Sequence, residues 1–329
     1  MGGGDSDHRA GEGMHGLRLD DRSFDVDATR DFPMSESTKQ AIVVTGASTG
    51  IGDACVRLLI EKGFLVFGSV RAPADAERLK TQFGENYEPL FFDLTDGEAI
   101  ARAAGKVEDR LQGRTLTGLV NNAGMAVPGP MLHVPIPELR HQLEVNVVGQ
   151  MQVTQAFAPL LGARAPQGGP PGRIINMSSV LGRMVGPLLG PYSASKFALE
   201  AMSDALRREL AVYGIAVTVI EPGMIATPIW DKAESAAFSA FDATIYGPAA
   251  RRVQTWAVAQ GRAAVGPEVV ADAVYRALTS SRPPLRMLVL GSSAMVYYAQ
   301  LLVPPRVLDW LMARRFGFDK IRAQLSALS

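Results

Sequence analysis

The sequence predicts an α/β fold: a single doubly wound parallel sheet of about seven strands with helices on both faces. Three observations carry this expectation. Short apolar, β-branched runs alternate with longer helical stretches along the chain. The short runs are apolar throughout, as strands covered on both faces are. A glycine-rich turn joins the first run to the first helix.

Strands are expected at Ala41–Thr45, Phe64–Val70, Pro89–Phe92, Gly118–Asn121, Arg173–Met177, Ala216–Glu221 and Met287–Leu290. Helices are expected at Gly50–Gly63, Ala74–Phe83, Gly97–Leu111, Pro137–Leu161, Tyr192–Tyr213 and Pro267–Thr279. Two segments interrupt the rhythm. Ala163–Gly172 is a Pro/Gly loop. Met224–Gly266 is long and mixed, with Trp230, Phe238, Phe241, Tyr246 and Trp256.

Composition sets the bounds. The chain has 329 residues, 47% hydrophobic and 20% charged, the balance of a globular protein. That length buries a core without disulfide or metal support. Lys+Arg and Asp+Glu are both 33, so no charge excess points to nucleic acid. Cys55 is the only cysteine, which excludes an intrachain disulfide and a thiolate cluster. It reads as a small buried hydrophobe and suits a reducing, cytoplasmic setting. His8, His15, His133 and His141 lack metal-ligand spacing, so no metal is expected. No apolar run reaches transmembrane length. Residues 1–38 are rich in Gly, Asp and Arg without an apolar period, and read as a disordered extension without a secretory h-region. Met34 opens MSESTKQAIVVTG, which reads as an alternative start.

The glycine turn is TGASTGIG, Thr45 to Gly52, spaced G-x-x-x-G-x-G through Gly46, Gly50 and Gly52. Glycines let backbone approach a pyrophosphate, and the helix end supplies N–H donors and a positive dipole. After the second strand, NAD sites place an acid on the ribose diol, whereas NADP sites use an arginine. Here Val70-Arg71 stands there and no acid does. Arg71 is either a partner for a 2′-phosphate or a surface residue capping the loop.

Tyr192-Ser193-Ala194-Ser195-Lys196 opens a helix and sets Tyr192 and Lys196 on one face. Tyrosine titrates at about 10, and a neighbouring ammonium together with an oxidised nicotinamide is expected to lower that value. Tyr192 is then a usable general acid or base. Ser178 and Ser179 end the fifth strand run, Asn121-Asn122-Ala123-Gly124 ends the fourth, and Pro222-Gly223 ends the sixth. All lie at carboxyl ends of parallel strands, where such folds bind ligands.

TGASTGIG, NNAG, the serine, YSASK and EPG stand in an order and spacing that resembles the short-chain dehydrogenase/reductase family, in its shorter, non-extended branch, over residues 39–290. The stretch from Ser178 to Val217 is especially similar to hydroxysteroid and retinol dehydrogenase-like reductases. The resemblance implies a Rossmann-type fold and a ketone or aldehyde interconverted with its alcohol. It implies Tyr192 as proton donor or acceptor, Lys196 on the nicotinamide ribose, and Ser179, rather than Ser178, on the substrate oxygen. Asn146 resembles the asparagine of a proton relay. The cofactor would be held by Gly46, Ser48, Thr49, Gly50, Ile51 and Gly52. Arg71, Asp93 and Leu94, then Asn122, Ala123 and Gly124, would flank its adenosine half. Pro222, Gly223, Ile225 and Thr227 would line its nicotinamide. The expected cofactor is NADP(H), less so NAD(H). Thr49 departs from the family's NADP pattern, which often carries a basic residue there.

The expected organisation is a catalytic domain over 39–290 with a substrate lid at 224–266, then a helical tail at 291–329. Met184, Val185, Leu188 and Leu189 with the lid favour a small lipophilic substrate, unless they are packing alone. The tail mixes aromatics with Arg306, Arg314, Arg315, Lys320 and Arg322. It suits packing across the domain or at the interface of a homodimer or homotetramer, or peripheral membrane contact. The competing readings are an NAD-dependent alcohol dehydrogenase and a non-catalytic NADP(H)-sensing scaffold. The scaffold is disfavoured because both Tyr192 and Lys196 are present.

Overall fold

The structure, a computed structural model, describes residues 39–164, 169–235 and 238–327 together with Met1. The expected disordered extension therefore lies outside the described residues.

The strands are β1 (Ala41–Val44), β2 (Leu65–Val70), β3 (Tyr87–Phe91), β4 (Gly118–Asn121), β5 (Arg173–Met177), β6 (Ala216–Pro222) and β7 (Arg286–Val289). They form one 7-stranded sheet in the order β3-β2-β1-β4-β5-β6-β7. Every pairing is parallel. The order reverses between β1 and β4, which opens a crevice at their carboxyl ends.

The helices are α1 (Gly50–Glu61), α2 (Pro73–Phe83), α3 (Gly97–Leu111), α4 (Ile136–Leu143), α5 (Gln150–Phe157), α6 (Gly190–Glu209), α7 (Ile229–Ser235), α8 (Gly247–Arg262), α9 (Glu268–Thr279), α10 (Ala294–Leu302), α11 (Pro305–Phe316) and α12 (Phe318–Ser326). Strand side chains alternate between two cores. Ile42, Val44, Val66, Val120, Ile175 and Ile220 pack with Cys55 and Leu59 of α1 and Val270 and Val274 of α9. Val43, Phe67, Leu119, Ile174 and Val217 pack with Ile100 and Val107 of α3 and Val153 and Phe157 of α5. Cys55 is fully buried, and burial pushes its thiol up to about 12, so it stays a protonated core residue.

The helix expected over Pro137–Leu161 is not one α-helix. α4 runs into a π turn at Glu144–Gly149, and α5 ends at Phe157. Pro159 has no backbone N–H to continue the ladder, so the chain turns at 158–162 despite its leucines. The expected Tyr192–Tyr213 helix starts two residues earlier and finishes as a 3-10 turn at Leu210–Tyr213.

A third, smaller core joins the two late segments. Phe238, Ala250 and Val253 pack with Phe316 and with Leu188, against Trp256, Met312 and Phe318. Leu188 holds a left-handed φ of 60, a strained state for a residue with a γ-branched side chain. Its carbonyl accepts from Gly129 N at 2.7 Å. The C-terminal helices are thus anchored on the loop that leads into α6.

Phe316→Ala is expected to cost about 3 kcal/mol of packing in this third core. The tail should be released faster by limited proteolysis while the sheet melts nearly as before.

Candidate active site

The crevice between β1 and β4 is closed at its base by side chains acting as backbone partners. Thr45 is fully buried, and its hydroxyl accepts from both Asn122 N and Ala123 N at 2.9 Å. Asn122 Nδ2 donates to Thr45 O at 2.9 Å and Gly46 O at 3.2 Å. The glycine turn and NNAG are therefore one bonded unit. Gly46 N donates to Ser69 Oγ at 2.9 Å, which ties the turn to β2 as well.

The turn forms a cradle that side chains would fill. Gly46 has φ 65, and a Cβ there would lie 3.0 Å from Ala123 Cα. A Cβ on Gly52 would fall on the Gly46 carbonyl oxygen. Thr49 stands at the N-cap of α1 without a side-chain cap bond. Uncapped amides and a glycine cradle suit the pyrophosphate of the expected dinucleotide. Ser48 is half-buried and Thr49 exposed. Thr227 reaches the same turn: a Cβ on Gly50 would meet its side chain at 3.3 Å. Ile225 is buried and bridges to Val265, so the lid segment begins beside the cradle.

On the opposite flank Arg71 Nη1 pairs with Asp93 Oδ2 at 3.3 Å, with the arginine side chain 77% exposed. Burial alone would raise the Asp93 carboxyl, but bonds from Thr95 and Arg71 hold it below the usual carboxylate range. Leu94 is buried beneath.

Asn146 lies in the π turn and is fully buried. Its Oδ1 accepts from Met125 N at 2.9 Å, and its Nδ2 donates to Met125 O at 2.9 Å and Ser195 Oγ at 3.1 Å. Gln142 and Gln150 make parallel contacts: Gln142 Oε1 accepts from Val127 N, and Gln150 Nε2 donates to Ala123 O. These two amides were not singled out from sequence. Their signal was the four-residue spacing through Asn146. Together they pin the strand extension 123–127 to one helix face, and the π turn presents the middle amide.

Ser179, Tyr192 and Lys196 converge from β5 and α6. Ser179 sits at the N-cap of the 3-10 turn Val180–Gly182, accepts from Leu181 N at 3.1 Å and reaches Pro222 O at 3.5 Å. Its hydroxyl also lowers the neighbouring Tyr192 phenol, against the effect of burial. Ser178 is 3% exposed and has no such influence on the phenol. Lys196 Nζ donates to Met177 O at 2.7 Å and lies 5.7 Å from the Tyr192 ring centroid.

In the protein's own field the Tyr192 phenol is raised. Burial pushes it up, and the Ser179 hydroxyl only partly offsets this. Lys196 instead yields: burial pulls its ammonium down to about 8 against the attraction of Glu200 one turn later. Behind them, Glu221 is raised by burial and by Glu200, and Arg183 and Arg286 hold both carboxylates at 3.1–3.7 Å. The Tyr192 proton is thus kept on the phenol near neutral pH.

A family model described as short chain dehydrogenase matches residues 40–237. The chain is 41% identical over 267 residues to the NADPH-dependent 3-dehydrocapnine reductase of Ornithobacterium rhinotracheale, spanning 81% of this chain and 94% of that one. It is 37% identical over 201 residues to human retinol dehydrogenase 5, spanning 61% of each. A solved short chain dehydrogenase from Burkholderia cenocepacia, in complex with NADP, superposes with TM-score 0.62 at 25% identity, covering 84% of this chain and 97% of that one.

Lys196→Met tests the buried charge. From an ordinary lysine value down to about 8, the shift corresponds to on the order of 3 kcal/mol. Below about 8 the folded protein bears that cost in full. Between about 8 and about 10.4 the unfolded chain keeps a proton the folded one has released, so stability rises with pH. Thermal melts should show this rise in the wild type and its absence in the variant.

Proposed function

We propose an activity that starts from one fact: the chain belongs to the short-chain dehydrogenase family. It is an oxidoreductase acting on CH–OH groups with a nicotinamide cofactor. We assign NADP(H) as that cofactor. The missing acid after β2, the exposed Arg71 guanidinium and the NADPH and NADP named for two relatives support this. The reaction proposed is reduction of a lipophilic ketone or aldehyde.

The observation that carries the reading is the convergence of Ser179, Tyr192 and Lys196 at the carboxyl end of β5. The nicotinamide, when bound, supplies the hydride. Ser179 and Tyr192 hold the carbonyl oxygen by hydrogen bonds and favour the alkoxide that develops there. Tyr192 gives up the phenolic proton to that oxygen. Lys196, poised near neutrality, carries the replacement proton. Asn146 fixes the Ser195 and Met125 flank of this path. A phenol held protonated by burial suits the reductive direction.

The loop before α6 carries the apolar Met184, Val185, Leu188 and Leu189, and Val185 is exposed. Leu188 belongs to the third core, so it shapes the wall as packing. A long-chain or polycyclic carbonyl fits these surfaces better than a sugar. The retinol dehydrogenase likeness supports the same reading.

The tail packs inward through Phe316 and Ile321, while Met295, Tyr298, Leu302 and Trp310 stay exposed on its outer side. Arg314 lies 5.6 Å from the Trp310 ring. No helix among the described residues is long and apolar enough to cross a membrane. Contact of this outer side with a lipid surface remains the second reading. Co-sedimentation with anionic liposomes is its expected sign, and none sediments if the tail serves packing alone.

Tyr192→Phe keeps the ring and removes the transferable proton. Turnover of a panel of lipophilic carbonyls with NADPH should fall by about 10³-fold, with NADPH binding retained. NADH run in parallel should support a smaller kcat/KM. Near wild-type turnover in the variant overturns the assignment.

A further inference from the structure

Thr49 leaves a vacancy in the charge around the cofactor. It is exposed and neutral on the glycine turn, where the family resemblance implies that NADP-binding members often carry a basic residue. The fold fills this place from elsewhere. α2 begins just after Arg71 and runs back past the turn, carrying Arg78. Arg78 Nη2 donates to the Ser48 carbonyl at 2.7 Å. Its guanidinium therefore lies against the residue next to Thr49. Asp53 and Asp75 form ion pairs with it at 3.8 Å and 3.6 Å, beyond hydrogen-bond length, and the side chain is 45% exposed. A guanidinium carries five N–H donors, and the Ser48 bond uses one.

The glycine turn is also fastened to the end of β2, since Ala47 N donates to Ser69 O at 2.9 Å. Arg71 follows Ser69 by two residues. Arg78 thus reaches the turn from α2, while Arg71, just past the end of β2, is paired with Asp93. Neither is within three residues of the other on one helix, so spacing in the sequence does not group them.

We infer that Arg78 is a second guanidinium for the 2′-phosphate of NADP(H), supplying the charge that Thr49 lacks. This rests on the NADP(H) reading above. The phosphate would complete a pair of charge-assisted contacts, one from Arg71 and one from Arg78. A merely structural Arg78 would only strap the turn through Ser48. That role would affect every adenine nucleotide alike.

The test is calorimetric titration of the purified full chain with adenosine 2′,5′-bisphosphate and, separately, with AMP. Wild type, Arg71→Gln, Arg78→Gln and Arg78→Lys are compared, with thermal melts to confirm folding. The wild type is expected to prefer the bisphosphate. Arg78→Gln should weaken the bisphosphate by about ten- to hundredfold and leave AMP within about twofold. Arg78→Lys, which keeps the charge, should retain much of the preference. Equal weakening of both ligands, or no change in either, overturns the role of Arg78. A wild type that binds the two ligands equally overturns the NADP(H) reading itself.

Discussion

The Thr45 hydroxyl is the interaction on which the rest depends. Where β1 and β4 part, their last backbone groups lose neighbours in the sheet. A crevice can open there only if those groups are satisfied some other way. Thr45 accepts two amides of the NNAG segment, and Asn122 returns bonds to the Thr45 and Gly46 carbonyls. The crevice is therefore a finished surface with no orphaned ladder. The glycine cradle, the 123–127 extension and the amide row of Gln142, Asn146 and Gln150 are all referenced to it.

The catalytic half is arranged around a different constraint, the burial of charge. Lys196 is 4% exposed and its ammonium is pulled down by that burial. Glu200 and Glu221 behind it stay tolerable only through Arg183 and Arg286. Burial raises the phenol and lowers the ammonium, so the two groups are driven apart and the phenol holds its proton more firmly than the ammonium does.

Much of this was legible in the chain because the signals were local. Strand and helix runs read correctly where apolar period and end signals agreed, as at Gly97–Leu111, where Asp96 caps Ala99 N. The glycine turn, NNAG and YSASK each sit on a single strand–helix junction. What escaped was decided by contacts between distant segments. The π turn at Glu144–Gly149 keeps helical composition and shows no break in the sequence. Arg78 looks like any surface arginine until α2 is laid beside Ser48. The sign of the Tyr192 shift depends on how deeply the phenol is buried, which spacing to Lys196 does not report. Helices α7 and α8 were hidden because charged and apolar residues are interleaved without a clean period.

The left-handed Leu188 gives the tail a mechanical role. Its backbone is held in a costly shape by Gly129 on one side and by the Phe316 cluster on the other. Tyr192 follows four residues later. The last helices thus brace the loop that leads to Tyr192, though they sit far from it in the chain. Changes near the C-terminus are thereby coupled to the Leu188 backbone, and through it to the loop that leads into α6.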